Sequence, residues 1–115
     1  MRMIVAIIRP DRLDEVQEAL AASDVYLMTV SDVRGCGRQR GFTEVYRGQE
    51  QEVRLLPKIK LEIAVNDAFV DAAVDAICRA ARTGDTGKVG DGKIFITGID
   101  RVVRIRTGET DDSAL

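Results

Sequence analysis

The residues of this chain best suited to chemistry lie in two glycine-rich stretches, GCGRQRG at 35–41 and TGDTGKVGDGKIF at 83–95. Glycine lets backbone amides converge on an anion, and a neighbouring lysine or arginine adds charge. Gly87 through Lys93 has the G-x-x-x-x-G-K spacing of a phosphate-binding P-loop. Ile94, however, stands where a serine or threonine would ligate magnesium. The residues that follow, IFITGI, read as a strand, so no helix N-terminus faces the anion. The P-loop reading fails. GCGRQRG resembles a dinucleotide G-x-G-x-x-G, but Arg40 occupies the third glycine position and no helix follows. Gly35 and Gly37 are therefore either the end of a strand or an anion-binding nest.

The cations sharpen the choice. In RVVRIRTG, Arg104 and Arg106 share strand parity, which would put their guanidinium groups on one face about 6.6 Å apart. Such a pair is either a solvated strand face or a clamp on polyphosphate. Lys93, beside Gly90, Asp91 and Gly92, favours the clamp. Lys58 and Gln39 flank a long irregular stretch, and near the phosphates they would suit a carboxylate ligand held through a metal. The absence of histidine removes phosphohistidine transfer and Ser-His or Cys-His nucleophile pairs. Cys36 and Cys78 stand far apart without C-x-x-C spacing, which argues against structural zinc.

These groups need a scaffold. MIVAIIRP (3–10) is a β-branched run closed by proline, as in a buried strand. Asp11 is placed to cap a helix over roughly 12–22, with Leu13, Val16 and Leu20 on one face. VYLMTVSDVR (25–34) reads as a second strand and KIKLEIAV (58–65) as a third, with Ile59, Leu61, Ile63 and Val65 inward and Lys58, Lys60 and Glu62 outward. A second helix follows, capped by Asn66 and Asp67, striped by Val70, Ala73, Val74, Ile77 and Ala81, and ending near Gly84. KIFITGI supplies a fourth strand, which DRVVRIRTG continues or extends with a short edge piece. The order predicts an α+β, ferredoxin-like βαββαβ fold: a four-stranded antiparallel sheet with two helices on one face. Between Gly35 and Pro57 lies a stretch far longer than a median loop of ~4–6 residues, read here as a docking arm.

Composition sets the outer bounds. With 115 residues and 45% apolar content the chain suits one domain, 1–115, and a net charge of −2 with 4% aromatics argues against nucleic-acid binding. No apolar run reaches the ~18 residues of a membrane span, so a cytoplasmic protein is expected.

TVSDVRGCGRQRGFTEVYRG (29–48), LPKIKLEI (56–63), TGKVGDGKIF (86–95) and RVVRIRTGE (101–109) resemble the PII signal-transduction proteins of nitrogen metabolism. The likeness spans nearly the whole chain. It implies a non-enzymatic homotrimer with ATP or ADP in clefts between subunits and 2-oxoglutarate bound through Mg2+ and ATP. By matching motif, Thr29, Gly35, Gly37, Gly90, Asp91, Gly92, Lys93, Arg104 and Arg106 would line the nucleotide site. Gln39 would ligate magnesium, and Gly41 and Lys58 would receive 2-oxoglutarate. The resemblance also implies a T-loop at about 37–55, a B-loop at about 83–93 and a C-terminal loop at about 104–115. Tyr46, Arg47 and Gly48 at the T-loop tip would meet an ammonium transporter or a nitrogen-metabolism enzyme, with contact to a membrane only through a transporter partner.

Two departures from the family pattern stand out. YRGQEQ puts Gln51 where relatives carry the uridylylated tyrosine and Gln49 where some carry a phosphorylated serine, so neither covalent control is expected. RTGDTGKVGDG is about three residues longer than the usual segment, as if TGD were duplicated; nucleotide binding is expected to survive, with an altered ATP-to-ADP preference. Two other readings stand beside the regulator: a PII-like protein answering to adenine nucleotide alone, and a slow nucleotide hydrolase.

Overall fold

The structure is a computed structural model. It describes residues 1–37 and 55–115, together with the backbone of 45–46 and 49–50. The chain runs β1 (Arg2–Ile8), a 3-10 turn at Pro10–Arg12, α1 (Leu13–Ala22), β2 (Thr29–Gly35), β3 (Val45–Tyr46) and β4 (Gln49–Glu50). It continues through β5 (Leu56–Val65), a 3-10 turn at Asp67–Phe69, α2 (Val70–Ala81) and β6 (Gly92–Gly98). The main sheet has strand order β2-β5-β1-β6, with every pair antiparallel; β3 and β4 form a separate two-stranded ladder. This is the α+β, ferredoxin-like arrangement that the sequence predicts.

Alternation explains the core. Ile4, Ala6 and Ile8 of β1 and Leu61, Ile63 and Val65 of β5 are buried on one sheet face. They meet Val16 and Leu20 of α1 and Ala73, Ala76, Ile77 and Ala81 of α2. Each large side chain buried this way contributes about 1.5–3 kcal/mol. Small alanines on α2 let that helix sit close to α1 and the sheet. Among the described residues no helix covers the opposite face; Met3, Val5, Ile7, Ala64 and Phe95 share its parity, and Phe95 is 52% exposed.

Several boundaries differ from the pattern-based expectation. The second strand starts at Thr29, not Val25, because Val25 N still bonds Leu20 O and Asp24 takes a left-handed φ of 62°, so 23–28 serves to close α1. Asp11 lies inside the 3-10 turn, and α1 has Arg12 at its N-cap with no side-chain cap bond. Asn66 and Asp67 make no side-chain caps either: α2 has Phe69 at its N-cap, and Asp67 accepts from the Met1 ammonium at 2.8 Å. That ammonium holds the Asp67 carboxyl below its ordinary value.

Candidate functional site

Four strand ends gather at one end of the sheet: Gly35 of β2 opposite Leu56 of β5, and Ile8 of β1 between Ile59 of β5 and Gly92 of β6. Over this end lies the loop 82–91 that joins α2 to β6. Gly84, Gly87, Gly90 and Gly92 all take positive φ, which lets the loop fold back tightly. At Gly92 no other residue fits. Its φ is +112°, and an added Cβ would stand 1.7 Å from the carbonyl oxygen of Ile7.

One carboxylate organises the loop. Asp91 Oδ1 accepts from Thr83 Oγ1 at 2.6 Å and Arg9 Nε at 2.9 Å, while Oδ2 accepts from the Lys88 amide at 2.8 Å and the Thr83 amide at 2.9 Å. Arg9 also donates to Val89 O at 2.8 Å, fastening the loop to the end of β1. Partial burial alone would raise the Asp91 carboxyl; the Thr83, Lys88 and Arg9 donors outweigh it and hold it well below the usual carboxylate range.

Lys58 is placed differently from the alternation-based expectation. It has the parity of Lys60 and Glu62, yet only 9% of it is exposed, because the loop covers it and Nζ donates to Gly90 O at 2.7 Å. Burial, followed by the nearby Arg9 guanidinium, lowers its ammonium below the ordinary lysine value. Lys93, in contrast, is exposed in an open-face row with Ile7, Lys60 and Ser31. On the helix side of the sheet the loop roofs an apolar cleft of about 640 Å³ floored by Val74, Ile77, Ile94 and Ile96.

Gly35 and Gly37 have open space around them, and neither has a positive φ, so the fold of a single chain does not require glycine at either position. Gln39, Gly41, Arg47, Gly48 and Gln51 lie outside the described residues. Of Tyr46, the backbone pairing with Gln49 is described.

Thr29, Arg104 and Arg106 are not brought to this end. Thr29 lies six residues down β2 from Gly35, about 20 Å at strand rise, in a row with Glu62, Val5 and Phe95. The two arginines follow the far end of β6, where Ile99 N bonds Met1 O. Nor do they share a strand face. Residues 103–110 form a small hairpin in which Arg104 N bonds Glu109 O, Gly108 N bonds Arg104 O, and Val103 bridges Thr110. Asp111 anchors its base, accepting from Val102 N and pairing with Arg101, and this closes the chain where a continuing strand would have run on. Arg104 pairs with Glu109 at 3.2 Å, Arg106 is exposed in the turn, and Ile105 beside it is 100% exposed.

Arg9 and Thr83 escaped the sequence reading. Arg9 is the last residue before Pro10 at a strand end, and Thr83 opens a tandem Thr-Gly repeat with Thr86, so each left a local trace.

Comparison with known proteins bears on this arrangement directly. The sequence signature of the family described as "Nitrogen regulatory protein P-II" matches residues 1–109. The chain is 56% identical over 115 residues to "Nitrogen regulatory protein P-II 2" of Methanothermobacter thermautotrophicus, covering all of this chain and 97% of that protein. It is equally identical, over the full length of both chains, to "Nitrogen regulatory protein P-II" of Rhizobium etli and "Nitrogen regulatory protein P-II 1" of Escherichia coli K12. With the family signature and full-length relatives in agreement with the fold, the chain belongs to the P-II nitrogen regulatory protein family.

Proposed function

We propose that this protein is a homotrimeric, non-enzymatic sensor in the cytoplasm. It binds ATP or ADP in clefts between subunits, takes up 2-oxoglutarate with Mg2+, and controls nitrogen assimilation by docking the segment 37–55 on a transporter or an enzyme. The observation that carries this reading is the convergence of Gly35, Gly37, Lys58 and the loop ending in Gly92–Lys93 at one sheet end, while Thr29, Arg104 and Arg106 stand elsewhere. A nucleotide touching both sets needs one protomer to supply the loop and a neighbour to supply the rest.

Two further features support assembly. The open sheet face carries an apolar row system including Phe95, and the hairpin tip exposes Ile105 completely. Uncovered apolar surface of this kind belongs at an interface. The glycines at 35 and 37, which the fold does not require, fit close approach of a ligand to the backbone.

Phosphates would be met by Lys93 and the backbone of 90–92 from one side and by Arg104 and Arg106 from the other. Lys58 would exchange its bond to Gly90 O for a 2-oxoglutarate carboxylate, and Gln39 would reach the metal. Tyr46, Arg47 and Gly48 would form the docking tip, with Gln51 leaving it no hydroxyl for uridylylation at that position. Ligands that favour different conformations of 37–55 would shift which partner is engaged.

Titration calorimetry with ADP, with Mg-ATP, and with Mg-ATP plus 2-oxoglutarate tests the ligands, and sedimentation equilibrium tests the trimer. Binding of both nucleotides, with 2-oxoglutarate heat only when Mg-ATP is present, is expected. Nucleotide binding without a 2-oxoglutarate response would favour the nucleotide-only regulator. Failure of both nucleotides at millimolar concentration, or a monomer, would overturn the proposal.

A further inference from the structure

An ionised carboxylate offers about four acceptor positions on its two oxygens. In Asp91 four donors already occupy them: Thr83 Oγ1, Thr83 N, Lys88 N and Arg9 Nε. Nothing remains with which to ligate a cation or accept from a ligand, and a negative group held beside a phosphate path would oppose phosphate. The side chain acts inward, on the loop.

The donors are informative in their order along the chain. Thr83 precedes the turn 84–86 and Lys88 follows it, and both amides point at the same Oδ2. Arg9 brings in the end of β1 and, through Val89 O, holds the loop a second time. Gly90, next to Asp91, accepts from Lys58. The segment between α2 and β6 offers two Thr-Gly pairs, Thr83-Gly84 and Thr86-Gly87, and the carboxylate takes both its threonine bonds from the first. Gly84, Asp85 and Thr86 are exposed.

We propose that Asp91 is a positioning residue and not a nucleotide contact: with Thr83 and Arg9 it closes a clasp that fixes the loop 87–92, and residues 84–86 are extruded from it. The proposal rests on the nucleotide reading above for its ligand. The clasp itself does not. The extra length of the segment is thereby taken up outside the anchored part, and Gly87 through Gly92 keep one geometry toward the phosphates. Thr83 is a positioning residue of the same kind, acting through Asp91.

Amide hydrogen exchange and ADP titration on the full-length protein test this together. Asp91→Asn is expected to speed exchange of the Thr83 and Lys88 amides at least tenfold. Thr83→Ala is expected to weaken ADP binding about tenfold, and Thr83→Ser, which keeps the hydroxyl, to restore it to within threefold. Deleting residues 84–86 leaves Thr83 joined to Gly87 and should keep ADP affinity within threefold of the parent. Unchanged exchange in Asp91→Asn, parental ADP affinity in Thr83→Ala, or loss of binding on deletion each overturns the clasp. If the parent protein binds no ADP, the proposed function fails on its own account, and the exchange rates alone decide the clasp.

Discussion

Lys58 Nζ reaches the carbonyl oxygen of Gly90 at 2.7 Å across 32 residues of sequence. This bond joins the start of β5 to the loop that Asp91 organises, so a change at the root of the 37–55 segment and a change in the loop share one side chain. Lys58→Met should abolish the heat of 2-oxoglutarate binding while ADP affinity stays within about fivefold, since the bond lost is one charge-assisted contact. Calorimetry in parallel on both proteins checks it.

Asp91 gives the loop an acid limit. Its folded pKa lies below the ordinary value of 3.8, so the stabilisation is complete above that value and is lost as pH falls below it toward the folded pKa. Asp91→Asn is expected to lower stability by roughly 2 kcal/mol at neutral pH. That gap should narrow between pH 4 and pH 2 in denaturant titrations. A gap of constant size across this range would contradict the hydrogen-bond account.

Two glycines should behave oppositely. Gly92→Ala meets the Ile7 carbonyl and a positive φ, and should cost ~3 kcal/mol or more in thermal or denaturant unfolding. Gly37→Ala has open space and no left-handed φ, so stability should move by no more than about 0.5 kcal/mol. If the ligand approaches the backbone there, ADP affinity falls nonetheless.

Because Lys93 lies at the start of β6 and Arg104 follows its far end, the proposed cleft draws them from different protomers. Lys93→Met and Arg104→Met chains should each bind ADP poorly as pure assemblies. Co-refolded in equal amounts as trimers, they should recover tight binding in about one quarter of the clefts, those pairing two parental surfaces. No recovery would place both residues on the same side of one cleft.

Glu109 pairs with Arg104, with both side chains partly exposed. Glu109→Gln releases the guanidinium, and since exposed pairs are worth about 0.2–1 kcal/mol, ADP affinity should rise by no more than about fivefold and the gain should shrink with added salt. Titrations at low and high ionic strength measure both effects.

The sheet and helices were legible because their information is local. Ile4, Ala6 and Ile8 alternate, and Val16 and Leu20 recur at helical spacing, so each segment announces its own buried face. The failures came from contacts that local pattern does not carry. Alternation puts Lys58 outward, but a loop 32 residues away covers it. Val102, Val103 and Ile105 read as strand, but Asp111 and Glu109 fold that segment into a hairpin. Of the candidate site, the glycine loops and the cations were visible by type. That they fall into two groups separated along β6 depends on strand order and direction, which composition and spacing do not contain.

The exposed turn at 84–86 has fixed ends, since Thr83 and Lys88 both donate to one carboxylate. Lengthening a tether between pinned ends costs only about 0.6 kcal/mol per doubling. Chain length is therefore free to drift at this spot, whereas at Gly92, a few residues on, not even a methyl group can be added. A reporter peptide spliced between Gly84 and Thr86 would ride on the clasped loop without deforming it.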